Sequence, residues 1–288
     1  MTNVLLLIML LVNPAAPPTS AWSGWTAPRR NGGRKMLFDP VNNPDGWSRP
    51  EPADLTALDA SLRERLELDK RIFRQHGRCW LAGRGMNLDD VAAVLDAAGA
   101  DLGLHINHLG RSPSLDEWLA FPRISTLKHL SFNTAFLRAK GLDALLALGP
   151  NPDLETLDLS VCDIGLKGLR ALQASDHYPA LRALHLHANP DHDRTKWDEK
   201  AVKALLADSA KKPRGKTLRG LKVLGLMFWQ LADAMDVLEA DELVKGLDEL
   251  WIWDEYYDAK QYKHVSNVKA LPEGMRDRVV VGWERKNP

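Results

Sequence analysis

The chain has 288 residues, of which 45% are apolar, enough to close a substantial core. Its 38 basic and 38 acidic residues cancel. That excludes a phosphate-neutralising surface spread over the whole molecule and leaves room only for a local basic patch. Two cysteines, Cys79 and Cys162, are too few for a disulfide-built scaffold or a closed zinc site.

Residues 1–53 read as an apolar run followed by a proline-rich, disordered lead-in. The run VLLLIMLLV at 4–12 is too short to span a bilayer, which takes about 20 residues. It fits the apolar region of a secretory signal, with Thr19-Ser20-Ala21 as a small-residue cleavage site, but no Lys or Arg precedes it. A rival reading starts the protein at Met36, with Gly32-Gly33 encoded by a purine-rich ribosome-binding site. Localisation stays open between the two, with cytoplasm favoured over export. Eight of the 17 prolines fall between Pro14 and Pro52, which predicts an extended lead-in.

Residues 54–76 are expected to form one amphipathic capping helix. Asp54 is its candidate N-cap, Leu55, Leu58, Leu62 and Leu66 form one stripe, and Gly77 is its stop.

From there to residue 258 the sequence repeats. Leu154-x-x-Leu157-x-Leu159-x-x-Cys162-x-Ile164 is followed by Gly168-Leu169-x-x-Leu172, and Leu127, Leu130, Phe132, Leu137, Gly141-Leu142 and Leu145 keep the same phase. Leu181, Leu184, Leu186 and Asn189 match the first half, as do Leu221, Leu224 and Leu226, then Leu247, Leu250 and Ile252. Upstream, Gly99, Leu102, Leu104 and Asn107 are placed in the same slots, preceded by a degenerate unit around Cys79 and Leu81. Units starting at 99, 127, 154, 181, 221 and 247 are spaced by 28, 27, 27, 40 and 26 residues, the long one being an expanded repeat over 181–220.

Each unit carries two periods. Leu-x-Leu alternates and predicts a short strand; Gly-Leu-x-x-Leu has helical spacing and predicts a helix packed back on it. A single unit cannot bury both faces, so the units are expected to stack around one shared core. Asn107 and Asn189 fall where a buried side chain can satisfy turn backbone, and Cys162 fills that slot in its own unit. Both cysteines are expected inward, three repeats and about 14 Å apart at a strand spacing of about 4.8 Å. That is beyond disulfide reach of about 7 Å, so two free buried thiols are expected. Residues 259–288 are expected to cap the other end, with Val279-Val280-Val281 as a last strand.

These motifs resemble the leucine-rich-repeat superfamily, in its helix-bearing, ribonuclease-inhibitor-like variety, over roughly residues 77–258. The resemblance implies an α/β fold: a right-handed leucine-rich-repeat solenoid, an arc or horseshoe with a parallel concave sheet and convex helices. It also implies binding of a protein partner through the concave sheet and its adjoining loops, as adaptor or inhibitor, by a chain that is not an enzyme.

In this register the outward strand positions form two columns. One reads Trp80, Gly103, Ser131, Asp158, His185, Gly225, Trp251; the next reads Ala82, His105, Asn133, Ser160, His187, Met227, Trp253. The candidate partner-binding residues are Trp80, His105, Asn133, Asp158, Ser160, His185, His187, Trp251 and Trp253. Aromatic residues are frequent interface hot spots, and Trp251, Trp253, Tyr256 and Tyr257 form the densest aromatic cluster; a C-terminal cap folded over them accounts for it equally well. A sharper alternative is a metal-dependent hydrolase. His185 and His187 share a strand face beside Asp158, which suggests three metal ligands, and Ser160 with His187 and Asp158 suggests a nucleophile, base and orienter. Residues 185–192 also resemble the His-x-His-x-Asp-His motif of metallo-β-lactamases, with two extra residues before Asp191 breaking its spacing. A further alternative is an exported recognition protein.

Charge separates late in the chain. Lys211, Lys212, Arg214, Lys216, Arg219 and Lys222 have no acid among them, and ten acids then face one lysine over 233–258. The chain is expected to be a bacterial-style interaction module: a monomer with no cofactor, no metal, no nucleic-acid partner and no membrane span.

Overall fold

The structure is a computed structural model and describes residues 58–75, 78–106, 113–133, 135–160, 162–187, 189, 205–206, 215–227, 241–253, 255–258, 263–266 and 279–281. The apolar run at 4–12, the lead-in, Asp54, Asn107, Asp191 and the basic residues 211–214 lie outside the described residues.

The N-terminal end corrects one expectation. In place of a single helix over 54–76 there are two short helices, α1 (Ala60–Arg65) and α2 (Leu68–Arg71), and a strand β1 (Ile72–Gln75). Asp59, not Asp54, caps α1, its carboxylate accepting from the backbone N–H groups of Ser61 and Leu62. Glu67 breaks the helix by adopting a left-handed φ of 50°. Ile72 and Phe73 then favour extended backbone and pair antiparallel with β2 (Arg78–Ala82), Phe73 opposite Trp80. The Arg71 side chain locks the junction by donating to the carbonyls of Leu66 and Arg84.

From β2 onward strand and helix alternate. The strands are β3 (Gly103–His105), β4 (His129–Ser131), β5 (Thr156–Asp158), β6 (Ala183–His185), β7 (Val223–Met227) and β8 (Glu249–Trp253). Between them run α3 (Leu88–Ala98), α4 (Leu115–Ala120), α5 (Arg138–Ala147), α6 (Gly165–Ala174), α7 (Lys216–Arg219) and α8 (Glu242–Lys245). Strands β9 (Glu255–Asp258) and β10 (Lys263–Ser266) form a separate antiparallel pair, and β11 (Val279–Val281) lies parallel on β8. One nine-stranded sheet results, in the order β1-β2-β3-β4-β5-β6-β7-β8-β11, parallel throughout except at β1–β2.

A single leucine ladder fixes the register. Leu81, Leu104, Leu130, Leu157, Leu184, Leu224 and Leu250 pair strand to strand, and none is more than 3% exposed. At about 1.5–3 kcal/mol for each fully buried leucine, this ladder is a major share of the driving force. The ladder shares one core with the helix residues Leu142, Leu145, Leu169 and Leu172, so the helices cover the leucine face of the sheet. Backbone bonding repeats with the same stride. The carbonyl of Lys128 accepts from the N–H groups of Glu155 and Thr156, that of Glu155 from Arg182 and Ala183, that of Arg182 from Lys222 and Val223, and that of Lys222 from Asp248 and Glu249. The architecture is a repeat-like α/β sheet.

The first units are displaced by two residues from the expected phase. Leu104, not Leu102, pairs with Leu130, because Gly99 does not open a unit. It ends α3, with φ 81° and its N–H bonded to the Leu95 carbonyl. A slip of two residues keeps every side chain on its face, so it changes which residues stand side by side and leaves inward and outward unaltered.

The expanded repeat rejoins its neighbours through a tight contact. Gly215 approaches Ser175 so closely that any Cβ would collide with the Ser175 carbonyl. Beyond it, the buried Thr217 hydroxyl accepts from the Tyr178 N–H at 3.2 Å and donates to Ser175 Oγ at 3.2 Å. Neither cysteine is in a disulfide; Cys162 is buried as expected, while Cys79 is only half-buried. Among the described residues no helix is long and apolar enough to cross a membrane.

Candidate functional site

The face of the sheet opposite the helices carries the candidate residues, and its true columns follow from the register. Ala82, His105, Ser131, Asp158, His185, Gly225 and Trp251 stand side by side across β2 to β8. Trp80 and Gly103 pair with each other; at the other end His129 pairs with Thr156, which pairs with Ala183. His105 is therefore the neighbour of Ser131 and not of Asn133, and Trp80 belongs beside His129. His129 and Thr156 precede the leucines of their strands, one step before the outward positions that flank the second leucine of each unit; both are buried on this face, and His129 Nδ1 lies 3.2 Å from Thr156 Oγ1.

Glycines in the columns make room for rings. Gly103 has no side chain, and the Trp80 indole lies in the space a Cβ would take, reaching the His129 ring at a centroid distance of 6.2 Å. In the same way the rings of His185 and His187 occupy the space above Gly225. These two imidazoles are stacked, with centroids 6.0 Å apart and planes 19° from parallel. Phe73 meets His105 edge-on at 5.7 Å.

A polar chain crosses the strands beneath these rings. Ser131 Oγ donates to Asp158 Oδ2 at 3.2 Å and lies 2.9 Å from His105 Nδ1. Asp158 also accepts from the Ser160 N–H at 2.8 Å and from Asn133 Nδ2 at 3.4 Å. Ser160 Oγ lies 3.2 Å from His187 Nδ1. His105, Ser131, Asn133, Ser160, His185, His187 and Trp80 are all buried, and Asp158 is partly exposed.

The electrostatics follow from that enclosure. Burial would raise the Asp158 carboxyl, but the positive charge that His185 carries when protonated, the hydrogen bonds from the Ser160 hydroxyl and N–H, and the same charge on His187 outweigh it and set the group below the ordinary aspartate value. Burial pushes His185 below the ordinary histidine value against the opposing pull of Asp158 and Glu249, so its neutral form is favoured.

The geometry of the described residues bears on two chemical readings. Among the described residues no group of three or more His, Cys, Asp or Glu side chains is placed to hold a metal ion. The two imidazoles lie face to face, and the Asp158 oxygens accept from Ser131, Ser160 and Asn133. Nor do Ser160, His187 and Asp158 form a hydrolytic relay. In such a relay the carboxylate orients the imidazole from the nitrogen opposite the nucleophile; here the carboxylate and Nδ1 of the imidazole both contact Ser160. Trp251 and Trp253 lie on β8 opposite Gly225 and Met227; their side chains, and those of Tyr256 and Tyr257, lie outside the described residues.

The turns leaving this face are held by Asn189, which is fully buried. Its Oδ1 accepts from the Cys162 N–H, and its Nδ2 donates to the carbonyls of Leu159 and Leu186. The Cys162 thiol donates to the Phe132 carbonyl, and burial raises its pKa well above the ordinary thiol range, which favours the protonated, packed thiol. In comparisons with known proteins, no family model matches the chain, and neither a curated protein nor a solved structure does.

Proposed function

We propose that the chain is a leucine-rich-repeat solenoid of the ribonuclease-inhibitor-like kind, and that it binds a partner protein through the strand face opposite its helices and the loops beside that face. The observation that carries this reading is the sidedness of the sheet. One face is an unbroken leucine ladder under helices, and the other aligns His105, Ser131, Asp158 and His185 from strand to strand. Enclosing a carboxylate, hydroxyls and imidazoles costs more than enclosing apolar groups of the same size. A sheet serving stability alone has no use for them, whereas a recognition surface needs fixed polar groups. Asp158 is the anchor in this reading: Ser131 and Ser160 hold its carboxylate in place, and its partial exposure lets a basic side chain of the partner reach it. Trp251 and Trp253 extend the face at the last repeat.

The role is that of an adaptor, or of an inhibitor that occludes an enzyme's active site, and no catalytic residue is assigned. Affinity capture with the full chain as bait tests it. Asp158→Ala and the pair Trp251→Ala/Trp253→Ala are each compared with Lys140→Glu, an exposed change on α5. The tryptophan pair should weaken capture by about 2 kcal/mol or more, Asp158→Ala should weaken it too, and Lys140→Glu should leave it intact. Equal capture by all folded variants overturns the assignment of the binding face.

A further inference from the structure

We infer that the stacked pair His185 and His187 is a proton-sensitive brace: acidification through the histidine range loosens the centre of the sheet, at β5, β6 and β7. The inference goes beyond partner binding, because it concerns the fold whether or not a partner occupies the face.

The geometry sets the argument. The two rings lie face to face over Gly225, and 6% of His185 and 1% of His187 is exposed. The stack spans the seam between β6 and β7, and Ser160 ties it to the end of β5. Two imidazolium ions stacked at 6.0 Å repel each other, and neither has the hydration that a charged ring needs. The acids that bear on the pair are Asp158, paired to His185 from β5, and Glu249 from β8; β7 contributes only Gly225 at this position. Both acids favour protonation of His185, and burial opposes it and prevails.

The sign follows from linkage. A histidine kept neutral in the folded chain binds fewer protons than the same residue unfolded. Stability therefore falls as pH drops below the unfolded value of about 6.5. Protonation needs the stack to part, and parting it opens the space above Gly225.

Denaturant unfolding of the full chain at pH 7.5 and 5.5 tests this, comparing the natural sequence with His185→Asn/His187→Asn and with His105→Asn/His129→Asn. On acidification the unfolding constant should rise at least about tenfold more in the natural sequence than in the His185/His187 variant, about one proton's worth per pH unit. Amide exchange over residues 183–187 and 223–226, corrected for the intrinsic pH effect, should rise at pH 5.5 more than over β3 and β4. An equal pH response in the natural sequence and the His185/His187 variant overturns the inference. So does a gain in stability at pH 5.5, which would mean that Asp158 and Glu249 win. Loss of the response only in the His105/His129 variant places the effect elsewhere and overturns it as well. Should the His185/His187 variant fail to fold, ring resonances of the natural protein decide: His185 and His187 titrating freely in the folded state overturns the brace, and rings that stay neutral until the sheet opens support it.

Discussion

Asn189 and Cys162 stand 27 residues apart in sequence and are joined by a 2.9 Å bond from the Cys162 N–H to Asn189 Oδ1. The same asparagine donates to the Leu159 carbonyl at 2.7 Å and the Leu186 carbonyl at 3.1 Å, so one side chain satisfies the turns of two successive units. Asn189→Ala takes this partner from those three backbone groups, and from the longer contacts to the Ile164 N–H and the His187 carbonyl, in a site closed to water. At about 1–3 kcal/mol for each buried group left unsatisfied, and with partial relaxation, the loss should be about 3 kcal/mol. Differential scanning calorimetry should show Tm falling by roughly 6–12 °C. A fall below about 2 °C would show that other groups carry these turns.

The repeat also places unequal residues at one strained position. Gly165, which opens α6, has φ 60°, and Arg138, 27 residues earlier at the start of α5, has φ 56°. The left-handed conformation costs a side-chain-bearing residue roughly 1–2 kcal/mol, and glycine almost nothing. Arg138→Gly should therefore stabilise the chain by about 0.5–1 kcal/mol, after the extra chain entropy glycine loses on folding. The backbone bond from the Arg138 N–H to the Cys162 carbonyl is unaffected, and the long 4.0 Å pair between the exposed Arg138 side chain and Asp163 contributes little. Gly165→Ala should move stability the other way. Chemical denaturation midpoints check both, and destabilisation by Arg138→Gly would remove strain as the distinguishing factor.

The leucine ladder was legible because its stride and its alternation are independent signals that agree: Leu130, Leu157, Leu184, Leu224 and Leu250 are parallel neighbours. The Asn189 slot was legible for the same reason. Less was visible where a residue has two uses. Gly99 sits in a unit-opening slot by pattern but caps α3 by conformation, and the two-residue slip followed from it. Leu58, Leu62 and Leu66 set a helical phase that nothing local interrupts before Glu67, so the strand character of β1 is hidden in its own segment; its pairing with β2 depends on a neighbour later in the chain. At the site, alternation told which face each residue takes but not how deep it lies. Burial of His187 to 1% arises from a stacked ring and a glycine 38 residues away, and no periodicity encodes that.

Gly225 offers the sharpest test of that packing. It lies within a strand and its φ is not left-handed, so on backbone grounds alone alanine should be better than glycine by about 0.5–1 kcal/mol. The structure argues for the opposite sign. A Cβ at this position would overlap His187 Cε1 and come within 2.7 Å of His185 Nδ1, and both rings are enclosed. Forcing them off the sheet is an overpacking change of the kind that costs about 1–3 kcal/mol. Gly225→Ala should thus destabilise by about 2 kcal/mol in the natural sequence. In a His187→Ala background, where the ring nearest the new methyl is gone, the cost should fall below about 0.5 kcal/mol or reverse. The resulting coupling, measured by urea denaturation of all four proteins in a double-mutant cycle, should exceed about 1 kcal/mol. Equal costs in both backgrounds would mean that the glycine is needed for its backbone and that the stacked histidines do not depend on it.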